Sequence, residues 1–228
     1  MSVPEPGADR LRSIVEKSNT KQIVGLNTLN AFNLMKEALK ELSAEYTTTL
    51  AGAVNHSALP AFREKGPYEA EFSLASDMLV FSMHTNVFVF DRDHPVWKTE
   101  YIKNERLNSY CGIVSIYNFL ADSFKFNRRQ DLGYLIARIF VNRENHFFVE
   151  GKRQSGDLVK DFANDLVSKE AIKQILDTAI RYAIEFDLLV PPYDQVKIAS
   201  VDQMMEEIIH AKMATGKRLG FKFNSDDV

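Results

Sequence analysis

Residues 68–94, YEAEFSLASDMLVFSMHTNVFVFDRDH, constrain the fold more than any other stretch of the chain. Gly66-Pro67 breaks the segment before them. Tyr68, Ala70, Phe72 and Leu74 then alternate with Glu69, Glu71 and Ser73. Successive side chains leave a strand on opposite faces, so this period of two predicts a half-buried strand. Ser76-Asp77 predicts a turn. Met78–Met83 is apolar on both faces except at Ser82. His84-Thr85-Asn86 is a second break, and Val87–Phe90 is a third run of β-branched and aromatic residues. Runs this short, with two or three turn residues between them, join as antiparallel hairpins. The first run has a polar face and the next two do not, which predicts a central position for them with cover on both faces.

A second pattern lies upstream. Residues 9–54 predict helix, in one piece or in two broken near Ser18-Asn19-Thr20 or Gly25. Phe32, Met35, Leu39, Leu42, Tyr46 and Thr49 recur at spacings of three and four, and Leu29, Leu34 and Ala38 widen that seam. The seam suits a helix packed on the sheet. It also permits a self-associating helix pair, hence a possible homodimer. Residues 51–67 predict a connector, broken by Gly52, Pro60 and Gly66-Pro67.

Downstream, Val96–Ile102 alternates as a weak strand. The β-branched content of 110–120 and Gly112 favour strand over helix there. Tyr134–Val149 predicts a hairpin about the turn Asn142-Arg143-Glu144-Asn145, with Val141 opposite His146, Ile139 opposite Phe148, Ala137 opposite Glu150 and Phe140 facing Phe147. Asp157 is placed to cap a helix over 158–167. Ser168 is placed to cap a stronger one, with Ile172, Ile175, Leu176, Ala179, Ala183 and Phe186 as its core stripe. Pro191-Pro192 stops that helix. Ser200-Val201-Asp202-Gln203 reads as a capping box for a helix to about 214, and 218–223 as a last strand. Strands and helices segregate along the chain. The expected fold is therefore α+β: an antiparallel β-meander packed against a long N-terminal helix and C-terminal helices. It is expected as one domain over 1–228, with 1–8 and 224–228 loose.

Composition narrows the function classes. In 228 residues, 28 Lys and Arg stand against 31 Asp and Glu, a net charge of −3. A net-acidic chain makes no large positive field, which argues against nucleic acid or an anionic membrane as partner. No stretch approaches the roughly 18 apolar residues of a membrane span. The N-terminus has no signal-peptide core, and the single cysteine, Cys111, fits a reducing compartment, so the expected location is cytoplasmic. Sixteen Phe and eight Tyr predict an aromatic core or a surface that buries aromatics against a partner.

Chemistry-bearing residues gather in a few places. Asp91, Asp93 and His94, with His84, could share a proton or hold a metal, but their spacing fits no metal motif, and a turn accounts for the same residues. His146 and Glu150 lie two pleats apart on one strand face, where a closed apolar setting would raise the carboxylate's pKa. Arg138, inside an apolar strand, needs either an anionic ligand or a carboxylate, with Glu69 or Glu71 as the nearest expectation. Residues 151–156, GKRQSG, resemble a phosphate loop but lack its Lys-Ser/Thr ending. Phe124-Lys125-Phe126-Asn127-Arg128-Arg129 interleaves aromatic and basic residues, as single-strand binders do, though a loop packing both phenylalanines inward explains it equally. Cys111 has no base beside it in sequence.

These observations predict a non-catalytic module binding a small molecule or a protein, with Arg138, His146, Glu150, His94 and Asp93 as its ligand-binding residues and no metal or cofactor. A hydrolase whose water is activated by a His–carboxylate or metal site is the first alternative. A structural subunit of a larger assembly is the second.

Overall fold

The computed structural model describes residues 8–151 and 161–185, together with Ile198, Ser200 and Val201. Its centre is an antiparallel sheet of seven strands: β1 (Ala61–Gly66), β2 (Glu69–Leu74), β3 (Asp77–Met83), β4 (Phe88–Val89), β5 (Tyr110–Leu120), β6 (Tyr134–Asn142) and β7 (Phe147–Gly151). The order across the sheet is β1-β2-β3-β5-β6-β7, with β4 pairing β5 beyond the end of β3. Helix α1 (Ala8–Thr49) and helix α4 (Lys169–Ile184) pack on one face. The α+β meander expected from the sequence is therefore the architecture of the protein.

The core lies between the helices and that face. Phe32, Met35, Ala38 and Leu39 of α1 are buried against Phe72, Phe81, Ile116, Ile139 and Phe147 of the sheet and Ile172, Ile175 and Leu176 of α4. The heptad-like seam of α1 is thus turned into its own core, so a helix pair would have to use other surface. Ser168 caps α4, its hydroxyl accepting from the Ala171 amide at 3.1 Å. Two close approaches set the layer spacing and the sheet's far end. A Cβ on Gly112 of β5 would meet Thr28 Oγ1 of α1 at 2.1 Å, and one on Gly133 would meet the Phe119 ring at 2.4 Å.

Several expectations are corrected. Helix α1 runs unbroken through Ser18-Asn19-Thr20 and Gly25. The connector 51–67 contains β1, an edge strand whose Arg63, Glu64 and Lys65 are exposed and discourage further pairing. Val96–Ile102 is not a strand: Pro95 opens a short 3-10 helix over Pro95–Lys98, and the Thr99 hydroxyl caps α2 (Glu100–Asn104). Residues 161–167 are turn and bridge rather than helix, pinned to the hairpin by Phe147 N to Asp165 O and Val167 N to Asn145 O, each 2.9 Å. Among the described residues, the face opposite α1 and α4 is covered at its β5–β7 end, while Ser82 of β3 is exposed. Residues 110–120 form a strand, as expected. The loop at 152–156, the cap at Asp157, Phe186, the prolines at 191–192, the helix from Ser200 to 214 and the strand at 218–223 lie outside the described residues.

The β6–β7 register differs from the expectation by one residue. Val141 stands opposite Phe147, Phe140 opposite Phe148 and Arg138 opposite Glu150. The cause is the turn. Asn145 takes a left-handed conformation at φ 60°, so the loop closes on three residues, Arg143-Glu144-Asn145. The buried Asn142 side chain secures it, its Oδ1 accepting from the Glu144 and His146 amides at 2.9 and 3.0 Å. A one-residue slip exchanges every partner. Here it puts Arg138 across from Glu150 instead of Ala137.

Candidate functional site

The partly covered face is aromatic. Phe90, Phe140, Phe148 and Phe162 pack on the underside of the 95–109 segment with Val96 and Ile102. The Phe140 and Phe148 rings stack at 4.7 Å, and Phe90 leans on both at 5.1 and 5.5 Å. Where this cluster meets the open part of the sheet there is a cleft of about 280 Å³. Its walls are Phe88, Val89, Phe90, Ile113 and Phe140, with the buried Cys111 among them. Arg138, Glu150, His94 and Asp91 supply its polar groups.

Each polar group is held by an identifiable contact. Arg138 donates to one oxygen of Glu150 through Nε, at 2.9 Å, and through Nη2. Its guanidinium also sits 5.5 Å from the centre of the Phe140 ring. Both side chains of this ion pair remain about two-fifths exposed, at 42% and 43%, so the pair faces the cleft and the solvent. Only two of five guanidinium donors go to Glu150, which leaves the Nη1 edge for a planar anion. His94 caps the 3-10 helix, its Nδ1 accepting from the Val96 amide at 3.2 Å, and stacks on Phe90 at 4.6 Å. An imidazole that accepts at Nδ1 carries its proton on Nε2, so His94 offers the cleft a donor. Asp91 is tied into the turn. Its carboxylate accepts from Arg92 N at 2.8 Å, and its carbonyl accepts from Trp97 Nε1 at 2.8 Å and His94 N at 3.0 Å. Burial pushes the Cys111 thiol well above its ordinary range, which keeps it protonated and weakly nucleophilic.

The five residues singled out from the sequence are thereby divided. Arg138, Glu150 and His94 come together at the cleft. Asp93 is exposed in the turn and does not line it. His146 lies at the far end of the aromatic cluster, stacked on Tyr101 at 5.4 Å, with Nδ1 buried and without a hydrogen-bond partner. The partner of Arg138 is Glu150, not Glu69 or Glu71. Glu71 is buried on β2 and pairs with Lys65 at 3.3 Å. Among the described residues, no group of three or more His, Cys, Asp and Glu side chains is gathered to hold a metal, and no helix is long and apolar enough to cross a membrane.

One polar cluster was not anticipated. The Tyr101 hydroxyl donates to Glu144 at 2.5 Å and accepts from Asn142 Nδ2 at 2.8 Å. Glu144 also accepts from the buried Asn108 at 2.9 Å, and Asn108 accepts from Arg143 Nε at 2.9 Å. Burial, and then the bond to Glu144, push the Tyr101 hydroxyl well above the ordinary phenol range. These residues tie the 95–109 segment to the β6–β7 turn and so fix one wall of the aromatic cluster. Their signal in the sequence was slight, because Tyr101 reads as one position of an alternating strand.

Comparison of the chain with protein-family models, with curated proteins and with solved structures finds no match to any of them.

Proposed function

We propose that the protein is a small-molecule binding module, and that the cleft between β4, β5 and β6 takes a compact aromatic or branched aliphatic acid. The supporting observation is the placement of Arg138 and His94 at the rim of an apolar, ring-lined hollow. Such a hollow favours an apolar body, and the two donors orient a carboxylate. About 280 Å³ is near the small end of ligand sites, which run from roughly 300 to 1,000 Å³, so the ligand is correspondingly small. Phe88 and Val89 stand 38% and 52% exposed on a two-residue strand, an apolar lip that a bound molecule would cover. Arg138 is suited to the recognition step because its fork matches a carboxylate in two bonds.

The test is titration of the full chain with a panel of aromatic and branched-chain carboxylates and their neutral amides, followed by ligand-observed NMR. Acids should bind and amides should not. Arg138→Met should weaken the acid at least about tenfold, the loss of a hydrogen bond to a charged group. Equal binding of acid and amide, or an Arg138→Met variant that binds like the parent, would refute the reading.

A further inference from the structure

We propose that the opposite end of the sheet, around α3 (Ala121–Lys125) and the loop after it, binds single-stranded nucleic acid, with bases stacking on Phe124 and phosphates held by Lys125, Arg129 and Arg63. The aromatic–basic run Phe124–Arg129 had two readings in the sequence, and the inward-packing one does not hold. Phe124 and Phe126 are 44% and 41% exposed. They stand on a fixed support. Arg128 and Asp131 form an ion pair at 2.8 Å whose side chains are only 10% and 2% exposed, and Ser123 donates to Asp131 at 2.6 Å. Asn127 takes φ 52°, which turns the chain sharply between the second phenylalanine and the arginines. A loop pinned this firmly holds both rings at the surface, where each forgoes the stabilisation of a buried phenylalanine.

The surroundings fit a stacking platform. The Phe119 ring is seated against Gly133 and meets Phe124 edge-on at 5.4 Å, so Phe124 is supported from one side and open on the other. Two cavities, of about 320 and 480 Å³, adjoin at Phe124. Their linings hold five cationic side chains against three carboxylates, in a chain whose net charge is −3. Lys65 and Arg128 are paired with Glu71 and Asp131. Arg63, Lys125 and Arg129 form no ion pair among the described residues; Lys125 lies over the Phe126 ring at 5.0 Å, and Arg129 Nε donates to Asn127 at 3.3 Å. Cations free of ion pairs line both cavities that meet at the exposed Phe124 ring, an arrangement that suits phosphates flanking a stacked base. The acidic balance of the whole chain excludes long-range steering. It does not exclude contact binding at a locally positive groove.

The experiment uses the full chain and fluorescein-labelled dT12, read by fluorescence anisotropy at 50 mM salt, with a 12-base-pair duplex as comparison. We expect single-strand dissociation constants within about 1–100 µM and weaker duplex binding. Phe124→Ala should weaken dT12 at least about tenfold, the usual consequence of removing one stacking partner. Lys125→Gln with Arg129→Gln should flatten the salt dependence by about 1.4 log units per log unit, the slope of two lost phosphate contacts on a single strand. These side chains are exposed, so urea midpoints should match the parent and exclude misfolding. The proposal is overturned by no dT12 binding at about 100 µM protein, by duplex binding as tight as single strand, or by full affinity in both variants.

Discussion

Substitution of Gly112 by alanine tests the packing that positions every other feature. Gly112 lies where β5 meets Thr28 of α1. An added Cβ would stand 2.1 Å from Thr28 Oγ1 and 2.8 Å from both Thr28 Cβ and Cγ2. Thr28 cannot swing away. It is β-branched, fully buried, and its hydroxyl donates to Val24 O at 2.7 Å. Relief must come from separating helix and sheet, over a core that includes Phe32, Met35 and Leu39. Overpacking of this kind costs about 1–3 kcal/mol. The stiffer unfolded chain of an alanine variant returns about 0.4–1 kcal/mol of that. The net expectation is a loss of about 1–2 kcal/mol in urea unfolding followed by circular dichroism. Thr28→Gly alone should also destabilise, since it removes buried atoms and weakens the helix. It also removes the obstructing atoms, so the double variant should be more stable than the two losses added together by about 1 kcal/mol. A Gly112→Ala variant within about 0.5 kcal/mol of the parent, or strict additivity, would refute the helix–sheet contact.

Three further outcomes follow from the site. Glu150→Gln removes a half-exposed ion pair, so stability should change by less than about 1 kcal/mol. The same change frees Arg138, and carboxylate affinity in titration calorimetry should rise; a fall would mean that Glu150 itself contacts the ligand. The raised Tyr101 and Cys111 pKa values make the fold hold protons that the unfolded chain has released. Their stabilisation is therefore complete below the ordinary values of 9.0 for the thiol and 10.0 for the phenol, and it is lost as pH rises above them. Urea midpoints should decline above pH 9, and Tyr101→Phe and Cys111→Ala should each flatten that decline while Tyr101→Phe lowers neutral-pH stability by about 1–3 kcal/mol. An unchanged alkaline profile in both variants would contradict the assigned burial.

The sequence makes parts of this fold legible because burial and backbone geometry write period-two and period-three-to-four patterns directly. Glu69–Leu74, the core stripe of α4 and the Ser168 cap are read off for that reason. Strand β1 is hidden from pattern because an edge strand protects itself with charge, and Arg63-Glu64-Lys65 then resembles a loop. Val96–Ile102 alternates like a strand because two short helical turns can produce the same pattern over seven residues, and the decisive features are the caps, His94 and Thr99. The site was half legible. Arg138 and Glu150 stood out singly as charges among apolar residues, but their pairing depended on the left-handed Asn145, whose effect on register is invisible to pattern. His146 stands away from the cleft, stacked on the Tyr101 ring at 5.4 Å, a contact that strand spacing does not reveal. The exposure of Phe124 and Phe126 is not written in the local pattern either, and although Arg128 and Asp131 are only three residues apart, the burial of their ion pair comes from packing that spacing does not show.

The most direct measurement of the central claim is a two-dimensional NMR titration of the labelled chain with the tightest carboxylate of the panel, following the Arg138 Nε–H and His94 Nε2–H signals and the amides of Phe88–Phe90 and Ile113. Binding in the cleft predicts that these signals move together and saturate at one ligand per chain, while those of Phe124–Arg129 stay fixed. Shifts centred elsewhere, or a saturating ligand that leaves the Arg138 Nε–H unmoved, would contradict it.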